Sequence, residues 1–313
     1  MKYGLNGLKE KELKLILFSG KGGVGKTTCA ASTGLYLSKF YKTLIISTDP
    51  AHSLADSLEV ELEDKIEKVN GIKNLYAVEI NAENLLSQFK IEYEDDLKSI
   101  LSNSTYLDQD DIDSIITLPI PGIDEVMGFK TIIDLIEEAE FDKYIVDTAP
   151  TGHALRLLTL PALFDEWIAV IAKMRWKYRY MIERFAGQYT PDEGDDFLMK
   201  MKRTVKKIEK LLTDSDKCEF IPVTIPEYMA VIETERMLAN LNENEIKVRQ
   251  MVINNVFEVR DCSFCSERRV QQQKYINRIK KNDHIDMTVA YSQPREVRGI
   301  ESLSNFKEML FRE

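Results

Sequence analysis

The sequence predicts an α/β fold, with a mostly parallel central sheet flanked by helices and an inserted α-helical subdomain. Seven short apolar runs alternate with stretches of helical periodicity along most of the chain. Strands that are buried on both faces of a parallel sheet have this near-continuous apolar composition. The predicted strands comprise residues 13–19, 43–48, 75–80, 144–147, 219–225, 249–254 and 287–291.

Two long stretches interrupt this alternation and predict the inserted subdomain. Residues 82–140 and 163–213 contain no strand-like run, and their apolar side chains recur every three or four positions. We therefore predict a single domain over 1–313 in which helices are inserted into a sheet core. The core comprises about 13–81, 141–162 and 214–313, and the inserted subdomain about 82–140 and 163–213.

The composition excludes several classes of protein. The 42 Lys and Arg residues and the 52 Asp and Glu residues give a formal net charge of −10, which disfavours a protein that grips nucleic-acid backbone. No apolar run approaches the roughly 20 residues that span a bilayer, and the first residues lack the apolar segment of a secretory signal. Four cysteines are too few for a disulfide scaffold, so we expect a cytoplasmic protein.

A glycine-rich loop follows the first predicted strand and opens a predicted helix. Its glycines let successive backbone N–H groups surround phosphate oxygens, and the helix N-terminus adds its positive end. Lys26 is expected to reach the β- and γ-phosphates of ATP, and the Thr27 hydroxyl to ligate Mg²⁺. The motif thus predicts a phosphate-loop NTPase. The expected nucleotide-binding residues of the loop are Gly20, Lys21, Gly22, Gly23, Val24, Gly25, Lys26, Thr27 and Thr28.

An aspartate ends each of two other predicted strands. Ligands of open α/β sheets bind at the carboxyl ends of the strands. Asp147 ends an apolar strand and is expected to hold Mg²⁺ through water, whereas Asp49 is better placed to orient the attacking water. The alternative for either residue is a cap on the following helix.

The loop and the two strand ends resemble one family of ATPases. Besides Lys26, the loop has a second lysine, Lys21, directly after its first glycine. The two aspartates lie in the segments STDPAHSLAD (47–56) and DTAPTGHALRLL (147–158). With these motifs the chain resembles the arsenical-pump and tail-anchored-protein-targeting ATPases over nearly its whole length. The resemblance extends to PGIDE, ETER and EVRG at residues 121–125, 233–236 and 296–299.

The resemblance implies roles for four residues. Lys21 would reach across a homodimer to the partner's nucleotide and act there as an arginine finger does; the alternative is a solvated loop lysine. Asp49 would be the catalytic aspartate. Glu227 and Asn254 would contact the nucleotide, Asn254 at the adenine, and a strand-end turn residue is the alternative for Asn254.

The chain departs from the targeting members of this family at two positions. Ser53 stands where those proteins usually carry Asn, which affects how the segment 47–56 holds the γ-phosphate. Tyr291 stands where they usually carry Pro, so we expect the adenine pocket to differ, with stacking on Tyr291 as a hypothesis.

Cys262 and Cys265 form a Cys-x-x-Cys pair in a polar stretch. A structural Zn²⁺ site uses four ligands, and the sequence offers no second cysteine pair of this spacing. Two chains related by a two-fold axis would supply four cysteines, and the resemblance implies this arrangement, with one Zn²⁺ per dimer. A redox dithiol, a shared iron–sulfur cluster and an unliganded pair are the alternatives.

The second helical stretch is rich in methionine and aromatic residues. Flexible thioethers suit surfaces that accept varied apolar partners, although the same pattern is typical of the core of a helical bundle. Under the resemblance, these side chains would line a groove for the transmembrane segment of a client protein. The candidate groove residues are Met174, Met181, Phe185, Phe197 and Met199.

Under the resemblance we expect a homodimeric ATPase that binds transmembrane segments of tail-anchored proteins and delivers them to the membrane. It would be cytoplasmic and transiently membrane-associated, with an unidentified membrane receptor and no nucleic-acid partner. The alternative is the catalytic subunit of an arsenite or antimonite efflux pump. Residues 147–217 contain no cysteine that could contribute to a metalloid-binding triad, and this favours the targeting function.

Overall fold

The computed structural model of the chain describes two compact units. The described residues are 4–49, 53–62, 65–81, 123–148, 193–258, 262–282 and 284–311, with single helical positions at 84, 85, 87, 91 and 98. One unit comprises Met1–Asn81, Asp134–Leu155 and Leu211–Glu313, and the other comprises Ala82–Ile133 and Arg156–Lys210. A client-binding role for the inserted helices stays a prediction.

An eight-stranded sheet forms the centre of the first unit. Its strand order is β3-β4-β2-β5-β1-β6-β7-β8, and all neighbours are parallel except β3 and β4. The predicted mostly parallel α/β sheet is therefore confirmed. The strands are β1 (Leu15–Ser19), β2 (Thr43–Ser47), β3 (Glu67–Lys68), β4 (Leu75–Glu79), β5 (Lys143–Asp147), β6 (Cys218–Thr224), β7 (Gln250–Val256) and β8 (Asp286–Tyr291).

Within the described residues, the structure gives bounds for seven α-helices and one short 3₁₀-helix, Asn6–Lys9. In that part of the chain, no helix is both long enough and apolar enough to cross a membrane. The helices are α1 (Lys26–Leu37), α2 (Ser53–Leu58), α3 (Ile123–Glu138), α4 (Glu193–Thr213), α5 (Tyr228–Glu243), α6 (Ser263–Ile279) and α7 (Gly299–Leu310).

The sheet is covered by helices on both faces, as buried parallel strands require. All residues of β1, β2 and β5 are buried. Along β7, Val252 belongs to a large apolar cluster with side chains of α1 and α7. Its neighbours Met251 and Ile253 point to the opposite face and pack with side chains of α5 and α6.

The strand order positions the functional site. β1 lies between β5 and β6, while the chain runs from β1 through α1 to β2 on the far side of β5. Ligands of open α/β sheets bind beyond the carboxyl ends of the strands, where the strand order changes direction. The glycine-rich loop between β1 and α1 lies at this point.

Candidate nucleotide-binding site

The glycine-rich loop has a backbone that requires glycine. Gly23 and Gly25 have φ values of 78° and 93°, in the left-handed region that side chains other than glycine rarely adopt. Gly25 directly precedes the first residue of α1. The loop thus turns sharply from β1 into a helix, and the first N–H groups of a helix are suited to bind phosphate oxygens.

Two loop glycines also lack room for a side chain. A Cβ atom on Gly20 would collide with the Val223 carbonyl oxygen, and one on Gly25 would collide with the Asn254 side chain. Asn254 Nδ2 donates a hydrogen bond of 2.9 Å to the Val24 carbonyl oxygen. Asn254 therefore supports the loop from its place in β7, and its adenine contact stays a prediction.

Lys26 is the first residue of α1 and is only 5% exposed. Burial lowers the pKa of Lys26, and the nearby carboxylates of Asp147 and Asp49 oppose this effect. Its ammonium lies 3.4 Å from the Lys21 carbonyl oxygen. A buried lysine between carboxylates and a curled loop is suited to bind phosphate oxygens.

Thr27, Asp147 and Ser53 meet beside the loop. Thr27 Oγ1 donates to Asp147 Oδ2 at 2.6 Å and lies 3.1 Å from Ser53 Oγ. Asp147 is fully buried, and its Oδ1 accepts no hydrogen bond within the described residues.

Burial raises the pKa of Asp147 to about 7, a shift that the Thr27 hydrogen bond and Lys26 oppose and that Asp49 and Glu79 reinforce. A hydroxyl next to an anionic group with an orphaned buried oxygen forms the oxygen ligand set that Mg²⁺ prefers. The residues thus fit a hydrated Mg²⁺ ion.

Asp49 lies at the same edge of the sheet. Its backbone N–H donates to Ser47 Oγ at 3.2 Å, and the Thr48 N–H donates to the Asp147 carbonyl oxygen at 3.0 Å. The ends of β2 and β5 are therefore tied together, and this brings the two predicted aspartates into one site.

Lys21 and Glu227 both lie next to charged groups. Lys21 Nζ is 3.4 Å from Glu233 Oε1 in α5, and the Lys21 side chain is 37% exposed. Glu227 directly precedes the first residue of α5, and its carboxylate pairs with Arg268 of α6 at 3.2 Å. Direct nucleotide contacts of both residues stay predictions.

Cys262 and Cys265 lie at the start of α6. Cys262 is exposed, Cys265 is half-buried, and neither forms a disulfide bond within the described residues. Hydrogen bonds from the Cys265 backbone and side chain hold the pKa of Cys262 below its usual value. Within the described ranges, no group of three or more His, Cys, Asp or Glu side chains could hold a metal ion, and a zinc site shared by two chains stays a prediction.

Of the remaining predicted residues, only Tyr291 and Met199 have side chains that the structure describes. Tyr291 ends β8 and packs on the apolar cluster beneath α5 and α6, so its stacking on adenine stays a hypothesis. In α4, Met199 is 52% exposed. Met174, Met181, Phe185 and the side chain of Phe197 lie outside the described residues.

Two contacts of the site are not predicted from the sequence. The pattern places Ser53 in the segment that holds the γ-phosphate, but it does not predict that the Ser53 hydroxyl lies beside Thr27. Glu79 is buried at the end of β4. A signal for Glu79 was available, because an acidic residue near the end of a predicted strand is the same pattern that identified Asp147.

The chain is similar to known proteins over nearly its whole length. The family described as "Anion-transporting ATPase" matches residues 13–312. ATPase ASNA1 homolog 1 of Paramecium tetraurelia is 34% identical over 318 residues, which cover 98% of this chain and 95% of the relative. ATPase get3 of Schizosaccharomyces pombe is 36% identical over 313 residues, which cover 97% and 93%. The chain belongs to the anion-transporting ATPase family.

Proposed function

We propose that this ATPase is a homodimeric targeting factor that binds transmembrane segments of tail-anchored proteins and delivers them to the membrane. The observation that carries this proposal is full-length similarity to proteins named ASNA1 homolog or get3, at 34% and 36% identity over 98% and 97% of the chain. The phosphate loop and the Thr27–Asp147 contact support the ATPase part of the proposal. We place the protein in the cytoplasm, with transient membrane association.

Hydrolysis in this proposal uses side chains at the ends of β1, β2 and β5. Lys26 binds the β- and γ-phosphates of ATP, and Thr27 with Asp147 holds the Mg²⁺ ion. Mg²⁺, when bound, neutralises negative charge that develops on the phosphates. Asp49 orients the attacking water from the end of β2.

A second copy of the chain completes the proposed machine. Lys21 of each protomer contributes positive charge to the partner's γ-phosphate. Cys262 and Cys265 of both protomers bind one Zn²⁺ on the two-fold axis, as a four-ligand site requires. The exposure of Lys21 and Cys262 supports these contacts with a second chain.

The proposed client site lies on the inserted helices. Met199 is the one candidate groove residue whose side chain the structure describes, and it is exposed. An exposed thioether suits a surface that accepts varied apolar segments. In this proposal, the dimer has two conformations, and the bound nucleotide controls client release by shifting the balance between them. This control requires that ATP binds the two conformations with different affinity.

Co-expression with a client separates targeting from metalloid transport. The protein is co-expressed with a tagged domain that ends in a single membrane-spanning helix, and the purified complex is quantified. The matched control carries two lysines in the middle of that helix, a change that disfavours burial in an apolar groove. We expect capture of the first protein and not of the control.

The same preparation tests the pump alternative through its ATPase activity. Arsenite or antimonite is added, and the rate of phosphate release is measured. We expect no more than a small change, because residues 147–217 contain no cysteine and soft thiolates are the usual ligands of soft ions. Strong metalloid activation without client capture would overturn the targeting function.

A further inference from the structure

Glu79 lies at the same register position of the sheet as two residues near the nucleotide site. In the parallel register, Ser47 of β2 pairs with Glu79 of β4 on one side and with Asp147 of β5 on the other. Side chains at the same register position of neighbouring strands project from the same face of a sheet. Glu79 is only 5% exposed, and a buried carboxylate is costly unless it accepts hydrogen bonds.

Glu79 accepts those hydrogen bonds from the start of α2. Its Oε1 accepts the backbone N–H of Leu54 at 3.1 Å and that of Ala55 at 3.0 Å. The first N–H groups of a helix have no partner within the helix. A carboxylate at this end also interacts favourably with the helix dipole. Glu79 therefore holds the first turn of α2 against the end of β4.

The first residue of α2 lies beside the magnesium ligands. Ser53 Oγ is 3.1 Å from Thr27 Oγ1, which in turn donates to Asp147 Oδ2 at 2.6 Å. Serine has a short side chain, so its reach to Thr27 depends on where the backbone of α2 lies. A shift of α2 by about 1 Å would break a contact that is near the limit of hydrogen bonding.

We propose that Glu79 is a positioning residue for the magnesium site, and that it acts through α2 and the Ser53 hydroxyl on Thr27. In this role, Glu79 fixes the helix that brings the Ser53 hydroxyl to Thr27. The inference rests on the magnesium site of the proposed function, and its first test requires neither magnesium nor nucleotide.

Hydrogen–deuterium exchange of the segment 53–58 tests the contact between Glu79 and α2. Glu79→Met preserves side-chain volume but removes the acceptor, so the Leu54 and Ala55 amides should exchange about tenfold faster, as loss of their hydrogen bonds predicts. Glu79→Gln keeps an oxygen that can accept both N–H groups and should exchange as the wild type does. Unchanged exchange in Glu79→Met would overturn the contact.

The Mg²⁺ dependence of ADP binding tests the link to the magnesium site. Titration calorimetry measures the Mg²⁺ concentration at which half of the gain in ADP affinity is reached. Loss of a partner that orients metal ligands typically weakens metal binding by about 10- to 100-fold. We expect at least a tenfold higher Mg²⁺ midpoint for Glu79→Met, and a wild-type midpoint for Glu79→Gln. ADP affinity without Mg²⁺ should stay unchanged in both variants.

Ser53→Ala shows whether Glu79 acts through Ser53. If it does, Ser53→Ala raises the Mg²⁺ midpoint by itself, and adding Glu79→Met raises it little further, because two residues in one network are not additive. Additive effects, or a midpoint in Glu79→Met equal to that of the wild type, would refute the proposal. If Glu79→Met does not fold, Glu79→Asp replaces it in both measurements. This change withdraws the carboxylate by one methylene, so it should also give faster amide exchange and a higher Mg²⁺ midpoint.

A wild-type protein whose ADP affinity does not respond to Mg²⁺ would contradict the proposed magnesium site. The exchange result would still decide whether Glu79 holds α2. The two proposals therefore fail in different measurements.

Discussion

Asp147 and Asp49 lie at the ends of neighbouring strands but have different surroundings, which indicate different roles. Asp147 is fully buried, and burial raises its pKa to about 7. Asp49 is half-buried at the end of β2. A buried carboxylate with a hydroxyl partner suits a bound cation, whereas a more accessible carboxylate suits a role toward water. We therefore predict different effects of replacing each one.

Asp49→Asn should retain nucleotide binding and lose hydrolysis. The amide keeps the shape of the side chain but cannot accept the proton of the attacking water, and loss of such a group typically costs about 10²- to 10⁴-fold in rate. ADP binding by calorimetry and phosphate release by a steady-state assay check the two parts. Normal turnover in this variant would remove Asp49 from the catalytic role.

Lys143 is a fully buried lysine at the start of β5. Its ammonium donates to the carbonyl oxygens of Glu10 and Leu13, and so ties the N-terminal segment to the sheet. Burial lowers the pKa of Lys143 to about 8, with a further contribution from Lys14. Between about pH 8 and the ordinary lysine value of 10.5, the unfolded chain binds more protons than the folded chain.

The contribution of Lys143 to the free energy of unfolding should therefore increase as pH rises. In this window the native lysine is neutral and the unfolded one is charged, so the wild type gains stability relative to Lys143→Met between pH 7.5 and pH 10. Urea unfolding at both values measures the difference, and Lys73→Met, at an exposed position, controls for loss of a positive charge. If the difference in free energy of unfolding between the wild type and Lys143→Met stayed constant or fell with pH, this would contradict a lowered pKa of Lys143.

At the scale of elements, α1 and α7 pack side by side against one face of the sheet. Directly after α7, the ring of Phe311 stacks on Tyr36 of α1, with centroids 3.8 Å apart and planes within 13°. Phe311 is 2% exposed. The stack therefore fastens the last described helix to the helix that follows the phosphate loop.

Phe311→Ala should lower the free energy of unfolding by about 3 kcal/mol, as truncation of a buried phenylalanine typically does. Phe311→Leu keeps most of the apolar volume and should cost about 1 kcal/mol. Urea unfolding monitored by circular dichroism measures both. Equal and small effects of the two variants would show that the stack contributes little to stability.

The pattern of the chain predicted most of the elements because their physical signals are local. Seven strands appear in the sequence as apolar runs, and the structure contains all seven. β3 was not predicted, since Glu67 and Lys68 are exposed and carry no apolar signal. α2 was not predicted either, because six residues are too few to show helical periodicity.

At the scale of the whole molecule, the proposed dimer rests on two features of the chain. Lys21 and the Cys262–Cys265 pair are separated by more than 230 residues in sequence, and the cysteines alone supply half of a four-ligand metal site. Two chains at −10 each give −20 for a dimer before metal and nucleotide bind. This like-charge repulsion opposes association, so a shared cation at the interface would oppose the repulsion.

Replacing both Cys262 and Cys265 by Ser should abolish zinc binding and weaken the dimer. A shared Zn²⁺ stabilises only the associated form, so its loss shifts the equilibrium toward monomers. Elemental analysis and sedimentation velocity measure metal content and mass. Cys29→Ser, at a buried cysteine outside the pair, is the control. A wild-type protein without zinc would refute the metal bridge.

The sequence by itself determined the α/β class, the phosphate loop and the two strand-end aspartates. These features depend on neighbours in the chain: apolar runs, a glycine pattern and the residue that ends a strand. Only the tertiary structure decided which distant residues meet there. Asn254 braces the loop, Glu233 pairs with Lys21, and Glu79 holds α2 so that Ser53 lies beside Thr27. Such contacts depend on strand order and register, which bring residues far apart in sequence to one edge of the sheet.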